Sequence, residues 1–318
     1  MIFQRRAAVA VACEICFSKL LFFYLFPFQN IGKWLYADSR AQLDSRFDIM
    51  FSLSVSKKGG SFMGLTKTAI HFAAPLPRPE QFQRCLFIGP HPDDIEIGAG
   101  ATAARFAAEG KAVSFLICMD GRFGLEHAPA GTTPETLIEL RRNESLAGAA
   151  ALGVKDVRFL GLSDGGLYDK DELYRGMARI IGETQPEIIF APDPCVTSEC
   201  HADHLNVGEA ARRLAFYAPF PEIMAELGAV SAPVRAIAYY MTAKPSRYVA
   251  VGASRARQLA AIRCHASQFP EGSEALGSLE LYLKLRAVEF GLRSFKGSAE
   301  GFRVLGVTQM HCLPEAGK

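Results

Sequence analysis

Short apolar runs alternate with longer helical patterns from about residue 83 to the end of the chain. The apolar runs are bounded by glycine or proline, which is typical of strands buried inside a parallel sheet. The predicted strands are residues 85–89, 112–119, 157–162, 187–191 and 236–241, with 248–251 as a weaker candidate. The predicted helices are residues 98–109, 134–152, 170–184, 204–216, 253–265 and 278–291. This alternation predicts an α/β fold with a mostly parallel sheet flanked by helices.

The N-terminal part of the chain breaks the alternation. Residues 7–28 are apolar and aromatic, but Glu14, Lys19 and Pro27 interrupt them. A signal peptide needs an unbroken apolar core, and a spanning helix needs about 20 apolar residues with few charges. The pattern therefore leaves two hypotheses open: a membrane tether through residues 7–28, or an extension without a structural role.

We predict a single domain that carries an N-terminal extension. Residues 1–62 are the apolar extension, either poorly ordered or the product of an upstream start codon, since Met50 and Met63 are both plausible starts. Residues 63–82 contain a proline cluster typical of a linker, and residues 83–318 form the α/β domain. We expect a cytoplasmic protein that contacts a membrane only if the extension is real.

Composition excludes several other classes. The 318 residues are 49% hydrophobic and 21% charged, which is typical of a folded protein and not of a disordered one. Lysine and arginine number 35 against 33 acidic residues, so the net charge of +2 gives no basic field for nucleic acid. Eight cysteines are too few for a disulfide framework in a chain of this length.

Two clusters of metal-binding side chains follow predicted strands. His91 and Asp94 come after the first strand, and His201 and His204 come after the fourth. Ligands of α/β proteins bind at the carboxyl ends of the strands, so we expect the two clusters to meet. Imidazole and carboxylate donors with an open fourth position describe a catalytic zinc site, and they also suit Fe²⁺ or Mn²⁺. Each cluster alone could instead be a solvated loop.

Five short stretches extend this pattern along residues 83–302. Residues 90–98 read P-H-P-D-D-x-E-x-G, and residues 201–204 read H-x-D-H. The other three stretches are R-x-x-E leading to A-A-A-L-G at 141–153, H-A-S-Q within 263–268, and A-E-G-F at 299–302. In this order they resemble the signatures of the PIG-L/LmbE family of metal-dependent de-N-acetylases, and the fourth is similar to its bacillithiol-pathway branch.

The resemblance implies a Rossmann-like α/β domain and one divalent metal, usually zinc. It also implies hydrolysis of an N-acetyl group on an amino sugar of the N-acetylglucosamine type or its conjugate. By this resemblance the metal ligands are His91, Asp94 and His204. Asp93 would be the general base that activates the metal-bound water, and His201 would stabilise the oxyanion and help to protonate the amine. A carboxylate beside the ligands suits the first role, and a charged imidazole suits the second.

The same resemblance suggests substrate contacts. Arg141 matches a substrate-binding arginine of the family, although its neighbour Arg142 leaves the register open. Asp120 and Arg122, after the second strand, are candidates for contacting sugar hydroxyls. Their loop differs from the commoner T-D-G-E-x-G form, and Glu199 stands where relatives often carry an aromatic residue or arginine. These departures leave the identity of the small-molecule substrate open.

Other polar residues have weaker interpretations. Asp203 could orient a ligand histidine or act as a negative charge at a helix N-terminus, and we favour the helix charge. His265, Ser267 and Gln268 are expected to form a structural hydrogen-bond cluster. Whether the protein forms a homo-oligomer is left open.

Two rival functions remain at this point. Gly98 and Gly100 match a loose G-x-G-x-x-A fingerprint with Asp120 about 20 residues further on, which would indicate a nucleotide-binding oxidoreductase. The glycines do not follow the strand directly, so close packing of a helix on the sheet explains them more simply. The second rival is a non-catalytic metal-binding protein, but a structural zinc site would have four protein ligands.

Overall fold

A central sheet organises the structure, a computed structural model that describes residues 73–311. The strands are β1 (Arg84–Gly89), β2 (Ala112–Met119), β3 (Asp156–Leu162), β4 (Ile188–Pro192), β5 (Ala236–Tyr240), β6 (Arg247–Ala250) and β7 (Ala299–Gly306). Their order is β3-β2-β1-β4-β5-β7-β6. The first five strands are parallel, and β7 runs antiparallel to both β5 and β6. The predicted α/β fold with a mostly parallel sheet is confirmed.

Helices cover both faces of this sheet. They are α1 (Asp94–Ala108), α2 (Pro134–Leu152), α3 (Lys170–Thr184), α4 (Ala202–Tyr217), α5 (Pro221–Glu226), α6 (Arg255–Arg263) and α7 (Glu274–Ser294). Two short 3₁₀ turns lie at Pro79–Gln81 and Gly252–Ser254. Among the helices within residues 73–311, none is both long enough and apolar enough to span a bilayer.

The core consists of two layers because side chains alternate across each strand. On one face, Phe87 of β1 stacks on Phe190 of β4 with ring centroids 4.1 Å apart, and small residues of α1 pack against them. On the other face, Leu86 and Ile88 pack against α3 and α4. Burial on both faces explains why the strands read as continuous apolar runs.

The strand order places a crevice beside β1. The chain leaves β1 through α1 toward β2 on one side, and it later returns to β4 on the other side. Such a reversal of strand order opens a crevice at the carboxyl ends of the two strands, where α/β proteins bind ligands. The loops after β1 and β4 carry the two predicted metal-type clusters, so the fold brings them to the same edge.

Several predicted boundaries were wrong. Helix α1 begins at Asp94 and not at residue 98, and α4 begins at Ala202 and not at 204. Both shifts add the polar residues of a cluster to the first turn of a helix, where acidic side chains are favourable. Helix α7 is longer than the predicted 278–291 at both ends, and β7 and α5 were not predicted.

The predicted domain boundaries stay predictions. Part of the expected linker contacts the domain: Arg247 donates to the carbonyl oxygens of Leu76 and Pro77, and Phe82 is fully buried. The predicted tether at residues 7–28 and the alternative start at Met63 lie outside the described residues.

Candidate active site

The loop after β1 forms a tight turn with an unusual backbone. Asp93 has φ of +111°, in the left-handed region that residues other than glycine rarely adopt. The backbone N–H of His91 donates to Oδ2 of Asp94 at 2.8 Å, which closes the turn. Such strain persists only where surrounding contacts hold it, and it is common at functional sites.

Three predicted ligands come together at this turn. Oδ2 of Asp94 lies 3.1 Å from Nδ1 of His91 and 3.4 Å from Nε2 of His204. The potential ligand atoms of these three residues all lie within 4.8 Å of one another. Two imidazole nitrogens and one carboxylate oxygen form a donor set that fits a divalent metal ion, with zinc among the candidates.

Asp203 lies behind His91 and not merely at a helix end. Its Oδ2 is 2.9 Å from Nε2 of His91, and the amides of Gly165 and Gly166 donate to its carboxylate at 2.7 and 2.8 Å. The side chain is fully buried. A carboxylate on the far nitrogen fixes the ring and directs its other nitrogen toward a metal. Asp203 also stands in the first turn of α4, so it has both of the placements that the sequence left open.

Glu199 makes a similar contact that the sequence did not reveal. Its Oε2 lies 3.2 Å from Nδ1 of His204, and its Oε1 accepts the backbone N–H of His201 at 2.8 Å. The sequence marked position 199 only as a departure from the family pattern. The available signal was that Glu199 stands two residues before His201, because an acidic side chain can accept the backbone N–H two residues further along the chain.

His201 is the N-cap of α4. Its Nδ1 accepts the backbone N–H of Asp203 at 3.3 Å, so in the neutral ring the proton is on Nε2, which can donate. Burial and the nearby His91 and His204 lower the pKa of His201. The ring is half exposed, and its centroid lies 4.7 Å from that of His91. It can therefore act as a neutral hydrogen-bond donor beside the ligand group.

Arg141 contacts Asp93. Its Nη2 donates to Oδ2 of Asp93 at 2.9 Å, and both side chains are largely buried. Arg141 lies inside, whereas the guanidinium of Arg142 stacks over the ring of Phe159 at 4.1 Å. The structure thus brings Arg141, and not Arg142, to the predicted base. The role of Arg141 in substrate binding stays a prediction.

Burial and pairing set the protonation of the site. Burial raises the pKa of Asp93 to about 6, although the Arg141 guanidinium lowers it. Burial lowers the pKa of His91, but hydrogen bonds to Asp203 and Asp94 raise it to about 10. Hydrogen bonds from His204 and His91 outweigh burial and hold the pKa of Asp94 well below its usual range. Acids and imidazoles thus compensate one another's charge.

Asp120 and Arg122 pair with each other. Nε of Arg122 lies 3.1 and 3.0 Å from the two carboxylate oxygens of Asp120. Asp120 is buried, whereas about a third of the Arg122 side chain is exposed. Among residues 73–311, neither makes an ion pair with the three predicted metal ligands. Their role in substrate binding therefore stays a prediction.

The predicted hydrogen-bond cluster is present below the site. Ser267 donates its N–H and its hydroxyl to Glu144 at 2.7 and 2.6 Å, and Gln268 donates to the carbonyl of Gly124 at 2.7 Å. His265 is fully buried with Nε2 3.4 Å from Oε1 of Glu96. Ser267 and Gln268 thus form hydrogen bonds as expected, whereas neither ring nitrogen of His265 has a hydrogen-bond partner.

The two glycines of the nucleotide fingerprint lie inside α1 and not in a loop. A Cβ at Gly98 would overlap the ring of Tyr240, and one at Gly100 would lie 3.3 Å from Gln258. Their role is close packing between the helix and its neighbours, which agrees with the simpler interpretation. A dinucleotide site of the fingerprint type needs the glycines at the strand-to-helix turn.

Comparisons with known proteins agree with the motifs. The sequence profile of the GlcNAc-PI de-N-acetylase family, PIG-L, matches residues 86–215. The chain is 32% identical over 240 residues to the diacetylchitobiose deacetylase of Thermococcus kodakarensis, which covers 74% of this chain and 87% of that protein. It is 31% identical to a 1D-myo-inositol 2-acetamido-2-deoxy-alpha-D-glucopyranoside deacetylase of Kineococcus radiotolerans, over 63% of this chain and 62% of the relative.

Solved structures show the same relationship. The structure resembles that of N,N'-diacetylchitobiose deacetylase from Pyrococcus horikoshii with a TM-score of 0.70 and 28% identity, over 81% of this chain and 98% of the other. The resemblance inferred from the five motifs is therefore confirmed, and the matched region contains every predicted metal ligand. The chain belongs to the PIG-L family of de-N-acetylases.

Proposed function

We propose that this protein is a zinc-dependent deacetylase that hydrolyses the N-acetyl group of an N-acetylglucosamine-type sugar or its conjugate. His91, Asp94 and His204 would hold the metal, since they offer the N, N and O donors of an open catalytic site. The named relatives, which act on diacetylchitobiose and on an inositol-linked glucosaminide, support this substrate class.

One observation carries the catalytic assignment. Asp93 is buried directly beside the predicted ligand Asp94. Its carboxylate nevertheless accepts a hydrogen bond from Arg141 and from none of the three predicted ligands. A carboxylate with a raised pKa next to the ligands is suited to accept a proton from the attacking water. A bound Zn²⁺ would polarise the amide carbonyl and lower the pKa of water toward about 7.

His201 would act on the opposite side of the reacting amide. Its Nε2–H can donate to the carbonyl oxygen as negative charge develops there, because its Nδ1 is occupied by the amide of Asp203. The departing amine would receive the proton that Asp93 takes from the water, since a neutral imidazole has no proton of its own to give. Asp203 and Glu199 would hold His91 and His204 in orientation from behind.

Substrate selection would lie in the loops after β2 and β3. Phe123 is half exposed, and its ring lies 4.0 Å from the position of a Cβ on Gly165, whose amide contacts Asp203. We assign this aromatic surface and the Asp120–Arg122 pair to contacts with the sugar.

The test is acetate release from a panel of N-acetylglucosamine conjugates, including diacetylchitobiose and an inositol-linked form. The purified protein should bind about one equivalent of Zn²⁺, with Fe²⁺ and Mn²⁺ compared, and chelation should abolish acetate release. Asp93→Asn should keep the metal and lose turnover, whereas Asp171→Asn on the surface should match the wild type. Full activity of Asp93→Asn would refute the base assignment. Tightly bound NAD or flavin would refute the whole proposal.

A further inference from the structure

A cleft of about 800 Å³ lies apart from the candidate active site. The 3₁₀ turn at Pro79–Gln81, strand β6 and the end of α7 contribute to its wall. Arg105 of α1 also lines the cleft, and it stands eleven residues after the predicted ligand Asp94 on the same helix. Since a helix rises 1.5 Å per residue, these two positions are about 16 Å apart along the axis of α1. The cleft is therefore separate from the predicted metal site.

The lining of this cleft is strongly basic. Its nine lining residues include four with basic side chains and one with an acidic side chain, Glu80. The basic residues are Arg78, Arg105, Arg247 and Lys296. The lining thus carries a net charge of +3, which exceeds the +2 of the whole chain. Charge of one sign inside a concave surface attracts ions of the opposite sign.

Two acidic side chains at the cleft do not neutralise it. Oε1 of Glu80 lies 3.4 Å from Nζ of Lys296, so this carboxylate offsets one of the four cations. Glu109 contacts Arg105 at 2.7 Å, but it also lies 3.6 Å from the Lys111 amine, which supplies a compensating positive charge. The excess of positive charge in the cleft therefore remains.

Two of the guanidinium groups are fixed in place and still have donors to offer. Arg247 donates three hydrogen bonds to backbone carbonyl oxygens, two of them on the segment before β1. Arg105 donates from Nε to Glu109 and from Nη1 to the carbonyl of Ala250. A guanidinium has five N–H donors, so both groups keep at least two for another acceptor. Because these groups are already held in position, binding an anion costs little ordering of side chains.

Arg78 adds a positive charge that the protein leaves unpaired. Its side chain is exposed, and within residues 73–311 its guanidinium makes no ion pair. Burial and the like charge of Arg78 lower the pKa of Arg247, so the two guanidinium groups repel each other across the cleft. An anion bound between them would remove this repulsion.

We propose that this cleft binds an anion that carries a phosphate group. The planar fork of arginine matches the oxygens of phosphate with paired hydrogen bonds. A phosphate monoester carries about 1.5 to 2 negative charges near pH 7, whereas a single carboxylate would leave most of the excess charge uncompensated. Soluble metabolites and lipid headgroups both carry such a group, so the experiment has an arm for each.

The first arm is isothermal titration calorimetry of the full chain, loaded with Zn²⁺, with inorganic phosphate. Arg78→Gln should raise the dissociation constant by about 10-fold or more, since charge-assisted hydrogen bonds are lost. The fold should be unaffected, because this side chain is exposed and has no ion pair to lose. Arg179→Gln, which removes another exposed arginine from α3, is the matched control and should bind phosphate like the wild type. The candidate metal site is the same in all three proteins, so phosphate bound there would appear equally in each.

The second arm is sedimentation with phosphatidylcholine vesicles that contain or lack phosphatidic acid. Binding to the acidic vesicles that Arg78→Gln weakens and Arg179→Gln does not would identify a lipid headgroup as the source of the phosphate. Phosphate binding without such vesicle binding would identify a soluble ligand, and either result supports the proposal. Failure of the wild type to bind both probes would overturn it. So would phosphate and vesicle binding that are both unaffected by Arg78→Gln.

Acetate release should be unchanged in both variants, because the cleft contributes no residue to the candidate active site. Neither outcome of the binding experiments therefore bears on the proposed deacetylase activity.

Discussion

Arg141 and Asp93 form a buried ion pair at the end of β1. Nη2 of Arg141 lies 2.9 Å from Oδ2 of Asp93 and also donates to the carbonyl of Pro92, while Nη1 donates to the carbonyl of Gly121 at 3.1 Å. One guanidinium therefore connects α2, the turn after β1 and the loop after β2. It fixes the carboxylate of Asp93, and so helps to hold this residue in a backbone conformation that is unfavourable by itself.

Arg141→Gln should lower kcat by about 100-fold, because removal of the guanidinium leaves Asp93 unpaired, displaced and easier to protonate. Zinc content should stay near the wild-type value, since the ligands keep their own partners. Steady-state kinetics with metal analysis makes the measurement. Arg142→Gln is the matched control, because that side chain stacks on Phe159, and it should change kcat little. Equal kcat values for the two variants would contradict the assignment.

Asp203→Asn should weaken zinc binding by about 10–100-fold, because His91 loses the carboxylate that fixes its ring. The measurement is competition with a chromogenic chelator, and it does not depend on turnover. Asp203 also accepts the amides of Gly165 and Gly166, so the substitution affects the stability of the fold as well. Thermal unfolding of the metal-free variant and of the metal-free wild type separates this effect from the loss of zinc affinity. Glu199→Gln, which acts on His204 from a more exposed position, should have the smaller effect. Wild-type affinity in Asp203→Asn would show that His91 needs no such support.

Glu300 should make stability depend on pH. Its carboxylate accepts the amides of Ala101 and Thr102 inside α1 and the side-chain amide of Gln258. Burial nevertheless raises the pKa of Glu300 from 4.5 to about 7. Between these values the folded protein binds more protons at this group than the unfolded chain does. Its contribution is therefore full below about pH 4.5 and is lost as the pH rises through about 7.

Urea unfolding of wild type and Glu300→Gln between pH 4.5 and 8 provides the test. The free energy of unfolding of the wild type relative to the variant should fall by up to roughly 3 kcal/mol across this range, because glutamine does not titrate. Glu222→Gln, at an exposed position on α5, should show a constant difference. A constant difference for Glu300→Gln as well would mean that the half-buried carboxyl keeps one protonation state throughout.

The sequence predicted what depends on local pattern. Apolar runs revealed the parallel strands, and Pro134–Leu152 was predicted to the residue because Thr133 caps it and Gly153 ends it. The strand β7 was not predicted because Glu300 and Arg303 interrupt its apolar pattern. Both side chains have hydrogen-bond or ion-pair partners that lie far away in the sequence. Arg303, for example, pairs with Asp193 of the loop after β4. Such partners become neighbours only in the folded chain.

In the candidate site too, the sequence predicted the local features and missed the contacts between distant residues. The sequence predicted the ligand types and placed each cluster after a strand, where a loop leads into α1 or α4. The partners behind the ligands were not readable. Asp203 reaches His91 across 112 positions of the chain, and Arg141 reaches Asp93 across 48. These contacts depend on which strands lie side by side in the sheet, and that order arises only in the folded chain.

Gly98 should be essential for packing and not for binding a nucleotide. Gly98→Ala places a methyl group in the ring of Tyr240, whose hydroxyl donates to the carbonyl of Ile88 at 2.8 Å. Overpacking of this kind costs about 1–3 kcal/mol of stability, which urea unfolding would detect. Gly277→Ala is the matched control, since a Cβ there meets nothing within 4 Å. Because alanine favours a helix over glycine, it should be neutral or stabilise the protein by up to about 1 kcal/mol. If Gly98→Ala were as stable as this control, the packing role of Gly98 would be wrong.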